Sequence, residues 1–459
     1  DKRLTSFFGR IQYDYQGKYL FSGLIRRDGS SAFIKEFRFD QFWALTTGWK
    51  ISEENFLKDN ETISFLKLRA SYGTLGNEVG NNLYRSLLSG EGTYVFDGAL
   101  VDGTAQGGLP NPLAQWETAE KLDIGLDINL FDDKVTIVAD YFEESRKDLL
   151  IANFPVSGIL GTSAPGGGRP TVNAGTSLNT GGELAISYAA IKTEDASLNF
   201  AYNVTYVKNK VTDVTGGAFI EGGSFAIGNL PPSRMEVGQP IGYFYGLQTD
   251  GIFQNQAAID AHPSQAGLGA SATSPGDIRY KDINGDGVID IKDRTNIGKP
   301  QADFYMGFNF SGTYKNWDFS AYLYSELGKE IVRNYERFLP NVNKPSYYLG
   351  RWTGEGTSNS IPRLTNDATN NKLFSDFFVE DGSFLRLQNV QIGYNINANT
   401  LERIGVSKLR VYTSVNNLFT LTDYSGYDPT VNGGAIGAGI DYGTYPSARQ
   451  FILGLNVEF

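Results

Sequence analysis

Apolar and polar positions alternate along much of this chain, and the clearest instance is at 450–459. Phe451, Leu453, Leu455, Val457 and Phe459 fall on one side of an extended backbone. Gln450, Gly454, Asn456 and Glu458 fall on the other, with Ile452 the exception. Side chains alternate across a strand with period two, so the segment reads as a strand with one apolar and one polar surface. Upstream, Leu122, Ile124, Leu126, Ile128 and Leu130 alternate with Asp123, Gly125, Asp127 and Asn129. A Phe131-Asp132-Asp133 turn then returns the chain. Phe304, Met306, Phe308 and Phe310 share one face of a strand ending at Tyr314, and Trp317, Phe319, Ala321 and Leu323 repeat the pattern on the way back. Further candidates lie at 4–15, 18–27, 42–51, 63–73, 134–146, 174–190, 197–209 and 409–419. Within 384–396 the phase changes: Leu385 and Leu387 are odd, whereas Val390, Ile392, Tyr394 and Ile396 are even. One extra residue near Gln388-Asn389 restores the register, which is what a β-bulge supplies.

The count is about thirteen strands, each near the length that crosses a bilayer at a tilt. Their connections alternate in length. Short turns are expected at 16–17, 52–62, 131–133, 191–195, 315–316 and 397–406, and long loops at 28–41, 74–115, 147–173, 210–301, 329–383 and 420–446. Outer-membrane barrels pair short periplasmic turns with long extracellular loops, and their rims carry aromatic girdles. A soluble sandwich or propeller is the alternative, but it gives no reason for strict alternation. The pattern therefore predicts an all-β, antiparallel transmembrane β-barrel with long extracellular loops. An odd strand count sends the first and last strands in the same direction, which closed antiparallel pairing forbids. Either one strand is miscounted or the chain is a piece of something larger.

Composition narrows the classes. The 459 residues contain no Cys, which removes disulfides and thiolate metal sites. No stretch approaches eighteen consecutive apolar residues, so no transmembrane helix is expected. Thirty Phe, 26 Tyr and 54 Gly make a β-rich profile. A net charge of −11 argues against a nucleic-acid partner, which needs clustered Lys and Arg.

Candidate chemistry concentrates at 282–293, within the longest loop. Asp282, Asn284, Asp286, Asp290 and Asp293 occupy positions 1, 3, 5, 9 and 12 of a calcium-type loop, with the Val288 carbonyl at position 7 and Gly287 at the sharp turn. Asp rather than Glu at position 12 makes bidentate ligation less favourable. A polar turn held by Asx-type hydrogen bonds is the alternative. Repulsion among four carboxylates in twelve residues favours a structural calcium ion, with no catalytic role. His262 is the only histidine and sits beside Pro263, so a nucleophile–histidine pair has a single base available, and no enzyme is expected. Gly166-Gly167-Gly168 and Gly433-Gly434 lack a P-loop lysine and read as turns. Arg26-Arg27-Asp28 reads as a rim or lumen charge network. Tyr347, Tyr348, Trp352 and Tyr445 suit either sugar stacking or loop packing.

Strings from end to end resemble one family. They include Arg27-Asp28-Gly29-Ser30-Ser31, Leu66-Lys67-Leu68-Arg69-Ala70-Ser71-Tyr72-Gly73 and Lys147-Asp148-Leu149-Leu150. Asn173-Ala174-Gly175 follows, then Gly276-Asp277-Ile278-Arg279-Tyr280-Lys281 leading into the calcium-type loop, then Asp293-Arg294. Glu380-Asp381-Gly382-Ser383-Phe384-Leu385-Arg386-Leu387, Asn416-Asn417-Leu418-Phe419 and Tyr427-Asp428-Pro429 complete the order. Together they resemble the starch-utilisation-type (SusC/RagA-like) TonB-dependent outer-membrane transporters of Bacteroidetes. The resemblance implies a plugged barrel of twenty-two strands, a fold type in which the lumen is filled. It implies import of a glycan, oligosaccharide or peptide, a SusD-like surface lipoprotein as lid, and energy from the TonB–ExbB–ExbD complex through an amino-terminal part. A dimer of transporter–lipoprotein pairs is also implied. Residues 1–459 would then be the carboxyl-terminal part of the barrel, with the plug and first strands absent from this sequence and 211–301 as the long extracellular loop region. A structural or adhesive surface barrel and a passive porin are the rival functions. The expected location is the outer membrane, in contact with lipid.

Overall fold

The structure is a computed structural model describing residues 2–78, 83–86, 88–162, 167–226, 229–270, 272–336, 342–396 and 405–459. Among the described residues, thirteen strands form one antiparallel sheet in which every neighbour in space is the next of these strands in sequence. They are β1 (Leu4–Tyr15), β2 (Tyr19–Ser30), β3 (Phe39–Lys50), β4 (Ile63–Asn77), β5 (Glu117–Leu130) and β6 (Val135–Lys147). Then come β7 (Thr176–Lys192), β8 (Ala196–Asp213), β9 (Phe304–Tyr314), β10 (Trp317–Leu327), β11 (Phe384–Asn395), β12 (Lys408–Thr422) and β13 (Gln450–Glu458). Each expected strand is present. Several run further than the alternation indicated: β2 continues to Ser30, β4 to Asn77 and β8 to Asp213, so the loop after β2 shortens to 31–38. The expected turn at 397–406 lies largely outside the described residues. The anticipated bulge is present: β11 slips by one residue between Leu387 and Asn389 against both β10 and β12.

The register assigns every side chain to a face. Leu455 lies opposite Val411, which lies opposite Tyr394, which lies opposite Trp317. The same face carries Leu453, Phe319, Phe308, Leu126, Ile128, Leu68 and Trp49. All ten side chains expected on a lipid face (Leu122, Ile124, Leu126, Ile128, Phe304, Phe308, Phe319, Leu323, Leu453 and Leu455) share it. Its apolar groups are open: Phe451 is 75% and Leu453 79% exposed. A band of that size is an aggregation surface in water and a matched surface in hydrocarbon.

The buried apolar core lies almost entirely beyond the strands, in the long connections. One cluster joins Ile151, Ala174, Val211, Ile220 and Met235. Another joins Phe225, Phe244, Val332, Phe374, Phe378 and Ile440, and a third Leu247, Ile252, Ile278, Tyr280 and Ile289. Ile151 and Ala174 come from 148–175 and Val211 from the end of β8, whereas the others come from 214–303, 328–383 and 423–449, so the long loops share one layer at one end of the sheet. The strand Glu330–Arg333 pairs antiparallel with Val379–Asp381 and parallel with Ile440–Asp441. Leu247 exchanges backbone bonds with Phe374 and Asp376 at 3.1 Å each.

Candidate functional site

The polar face of the sheet divides into two sectors. On β4 to β7 it is ionic. Arg69 on β4 pairs with Asp123 at 3.0 Å and Asp127 at 3.1 Å on β5, and reaches across β5 to Asp140 on β6 at 2.5 Å. It reaches because Gly125 stands between them: a Cβ there would lie 2.2 Å from Asp140 Oδ1 and 2.4 Å from Arg69 Cζ. Lys121 meets Glu144 at 2.7 Å, and Glu183 on β7 lies opposite Asp140. Arg410 on β12 crosses Gly393 in the same way to pair with Asp318 on β10. Arg26 pairs with Asp28 at 2.7 Å on this face, as a lumen charge network would.

From β8 to β13 the middle of the polar face is uncharged. Successive registers place Asn309, Tyr322, Asn389, Asn416 and Gln450 in one row across β9 to β13. Asn389 Nδ2 donates to Asn416 Oδ1 at 2.7 Å, and Asn416 Nδ2 donates to Gln450 Oε1 at 3.2 Å. The next row is Ser311, Ser320, Gln391 and Ser414. Charge returns toward the strand ends, at Asp318–Arg410, at Lys408 and Glu458, and at Glu326 and Arg386.

In the loop layer, buried polar groups tie distant segments together. Asp277 is 3% exposed and accepts from Arg363 Nε at 2.7 Å, Asn371 Nδ2 at 3.0 Å and the Ser274 amide at 2.9 Å. Arg333 pairs with Glu336 and with Glu380, each at 2.8 Å, and lies 4.4 Å from the Tyr347 ring. The Tyr347 hydroxyl donates to both Glu336 oxygens, and its ring stacks on Tyr348 at 4.5 Å. Burial pushes the Tyr347 hydroxyl far up, with Arg333 opposing and Glu336 adding to the shift. Trp352 packs on the third apolar cluster and donates to Gln254. These three aromatics are therefore loop packing, whereas Tyr445 is 88% exposed. Beside them a cleft of roughly 560 Å³ opens between 328–383 and 423–449, lined by Tyr335, Asn343, Ser346, Ser425 and Tyr427 among others.

The calcium-type loop has a defined internal geometry. Asp282 accepts from the Gly285 and Gly287 amides, Asn284 from the Asp286 amide, Asp286 from the Val288 amide and Asp290 from the Lys292 amide. Asn284, Asp286 and Val288 are exposed, and Asp282 and Asp290 are partly so. Asp293 differs. It is fully buried, and its oxygens accept from the Ile283, Asn284 and Asp290 amides. Among the described residues no three His, Cys, Asp or Glu side chains converge as a metal-holding group. His262 stands edge-on to Phe253 at 5.2 Å in the same layer. Gly166 lies outside the described residues, Gly168 bridges Gly108, and Gly434 closes a turn with Gly437.

One apolar and one polar face on a thirteen-stranded antiparallel sheet, with long connections gathered at one end, define an outer-membrane β-barrel. The family described as "TonB dependent receptor-like, beta-barrel" matches residues 1–324, and the chain belongs to it. TonB-dependent receptor P3 of Formosa agariphila is 34% identical over 472 residues, covering 100% of this chain and 46% of that protein. TonB-dependent receptor SusC of Bacteroides thetaiotaomicron is 31% identical over 480 residues, covering 99% of this chain and 44% of that protein. The solved structure of the RagAB peptide transporter matches with a TM-score of 0.79 at 22% identity, over 100% of this chain and 48% of that one, and the likeness shows the shared fold. The chain thus spans about half the length of the curated relatives it matches. The protein is an outer-membrane β-barrel protein of that family, similar to SusC along almost its whole length.

Proposed function

We propose that this chain is the carboxyl-terminal portion of the barrel of a nutrient importer. In this reading it takes up a glycan, oligosaccharide or peptide together with a SusD-like surface lipoprotein, driven through TonB–ExbB–ExbD. The observation that carries the reading is the polar inner face, which supplies a lined passage, in a chain of the TonB-dependent receptor-like family. The half-length match to relatives supports the view that further strands and a plug complete the barrel. The cleft beside Tyr335 and Tyr427 is the proposed first contact for a ligand arriving from outside. Pairing of two transporter–lipoprotein units is part of the same reading.

The loop 282–293 is proposed to take calcium. Its oxygen donors suit a hard cation, and Asp282, Asn284, Asp286, Asp290 and the Val288 carbonyl are placed where solvent and an ion can reach them. Asp293, with its oxygens on backbone amides, would shape the loop ahead of ligating. Metal analysis of the purified whole transporter beside an Asp282→Ala, Asp286→Ala variant tests this. Equal calcium in both removes the site.

Uptake tests the import reading. Cells carrying the whole transporter are given fluorescent oligosaccharides and peptides, with and without a protonophore. Import abolished by the protonophore is expected. Uptake that continues unchanged identifies a porin, and binding without uptake identifies an adhesive barrel.

A further inference from the structure

Charges on the outward, apolar face of the sheet are few. Among the described residues of β2 to β12 the register puts four cations there: Arg27, Lys147, Lys208 and Lys210. Two of them are engaged, since Arg27 lies 5.0 Å from the Phe39 ring and Lys147 pairs with Glu120 at 2.7 Å. Lys208 and Lys210 are exposed and make no ion pair or side-chain hydrogen bond with any described residue. We infer that this pair holds a phosphate of the glycolipid in the outer leaflet, which makes the outer end of β8 a lipid-headgroup site. The inference needs only the outer-membrane location and goes beyond the import reading.

Position along the strand comes first. Phe200, Tyr202, Val204 and Tyr206 of β8 lie opposite Phe310, Phe308, Met306 and Phe304 of β9, which makes a continuous apolar strip. The strip ends at Tyr206 and Phe304, whose rings are 5.1 Å apart, an aromatic step of the kind that marks a membrane rim. At the usual rise of a strand, Lys208 and Lys210 follow about 7 and 13 Å further on. They lie on the side of the long connections, because β8 runs directly into 214–303, and in an outer-membrane barrel that side is extracellular. A lysine stem can lie along the strand there while its ammonium group stands among the headgroups.

The chemistry of the pair sets the ligand. Positions two apart on a strand share a face, so both ammonium groups address the same patch of headgroup. An ammonium group is a compact charge well suited to phosphate oxygens. Thr180 of β7 lies opposite Lys208 and adds a hydroxyl to the same face. The neighbouring carboxylates are Glu143, across Thr180 from Lys208, and Asp213 at the end of β8; neither pairs with a lysine of this site. Glu120 is taken up by Lys147. A free phosphate ion would meet the lysines alone. A phosphorylated lipid meets them and covers the apolar strip below with its acyl chains, so the charge and the lipid face select the same occupant.

Lipid binding to the whole transporter tests this. The purified protein in detergent is titrated with diphosphoryl lipid A and with lipid A stripped of both phosphates, and bound lipid is counted by native mass spectrometry. The diphosphoryl form is expected to bind more tightly. In Lys208→Gln, Lys210→Gln its affinity should fall roughly tenfold, the scale of two cations beside an anionic lipid surface. Lys208→Arg, Lys210→Arg should keep the affinity. Lys192→Gln, Lys315→Gln removes the same charge at the opposite rim and should leave it unchanged. Glu143→Gln, which takes away the nearest carboxylate, should tighten binding. Unchanged affinity in the Lys208→Gln, Lys210→Gln protein overturns the inference, as does an equal loss in the opposite-rim variant. Displacement of the lipid by an equal concentration of inorganic phosphate also overturns it, because the site then takes a free anion. If the glutamine pair prevents folding, the comparison of the two lipids decides together with Glu143→Gln: equal binding of both lipids and no tightening overturn the site.

Discussion

Adding one methyl group at Gly125 should destabilise the barrel through charges on two other strands. In Gly125→Ala the new Cβ would lie 2.2 Å from Asp140 Oδ1, 2.4 Å from Arg69 Cζ and 2.7 Å from Arg69 Nη1. Ordinary carbon contacts are nearer 3.5–4.0 Å, so the guanidinium must withdraw by about 1 Å or more. Arg69 can keep Asp123 and Asp127, which lie on its neighbour strand, but it loses Asp140. Breaking a buried ion pair costs about 3–5 kcal/mol because one charge is left uncompensated. Here the Asp140 side chain is 10% and that of Arg69 27% exposed, on a polar face open to water. Screening reduces the expected loss to about 2 kcal/mol, roughly a thirtyfold change in the folding equilibrium. Urea unfolding of the whole transporter, followed by heat-modifiable gel mobility, reads this as a lower midpoint. Gly9→Ala, where nothing lies within 4 Å, is the control and should leave the midpoint in place. The decisive comparison is Asp140→Ala with and without Gly125→Ala. If the cost runs through the Arg69–Asp140 contact, the glycine change should add little once Asp140 is gone. An undiminished penalty in that background refutes the reasoning.

Three further outcomes follow from the same geometry. Leu126→Arg, on the apolar face at mid-membrane, should lose about 2–4 kcal/mol of barrel stability, and Asn456→Arg on the polar face less; comparable losses would reverse the face assignment. Asp277→Ala should strip Arg363 of its buried partner, leaving only the exposed Asp367, and loosen the loop layer by about 3 kcal/mol, seen as faster limited proteolysis within 358–376 while the strands stay protected. Burial alone would raise the Asp428 carboxyl, but hydrogen bonds from the Thr430 hydroxyl, the Ser447 and Thr430 amides and Arg386 outweigh it and hold it well below the usual carboxylate range. A depressed folded value means that its contribution is complete above the unfolded value near pH 4 and is lost only as pH falls through the folded one. Exchange protection of the Thr430 and Ser447 amides should thus be intact at about pH 4 and decline only at more acid pH, and protection lost already near pH 6 would contradict this.

The strands were legible because each must satisfy lipid on one side and water or protein on the other, which writes a period of two into the sequence. Even the bulge was visible, since Leu387 and Val390 differ in parity and only a bulge reconciles them. Strand ends were less legible. At Asn77 or Asp213 the chain has left the hydrocarbon, and pairing continues without any apolar alternation to mark it. The loop layer carried no period at all. Its core joins Phe225 to Phe378 and Val332 to Ile440, and contacts between residues so far apart in sequence leave no local pattern. In the calcium-type loop, spacing puts Asp293 at position 12 of the ligand set but does not show that its oxygens, buried, also accept from three backbone amides. The neutral row was also hidden, because single Asn, Tyr and Gln residues on five strands become neighbours only through register.

The placement of the apolar core outside the strands has a consequence for how the molecule is made. A soluble chain collapses around its core early, and the rest follows. Here the core-forming segments, at 214–303, 328–383 and 423–449, are rooted on different strands, and contacts such as Ser224 with Tyr442 span 218 positions. Closing so long a stretch of free chain is entropically unfavourable until its roots are adjacent. Pairing of β8 through β12 makes them adjacent. Strand pairing should therefore come before condensation of the cluster that joins Phe225, Phe374, Val332 and Ile440 across three connections, whereas the cluster within 214–303 can form on its own. For the shared cluster, the exposed interval in folding comes after the wall is built.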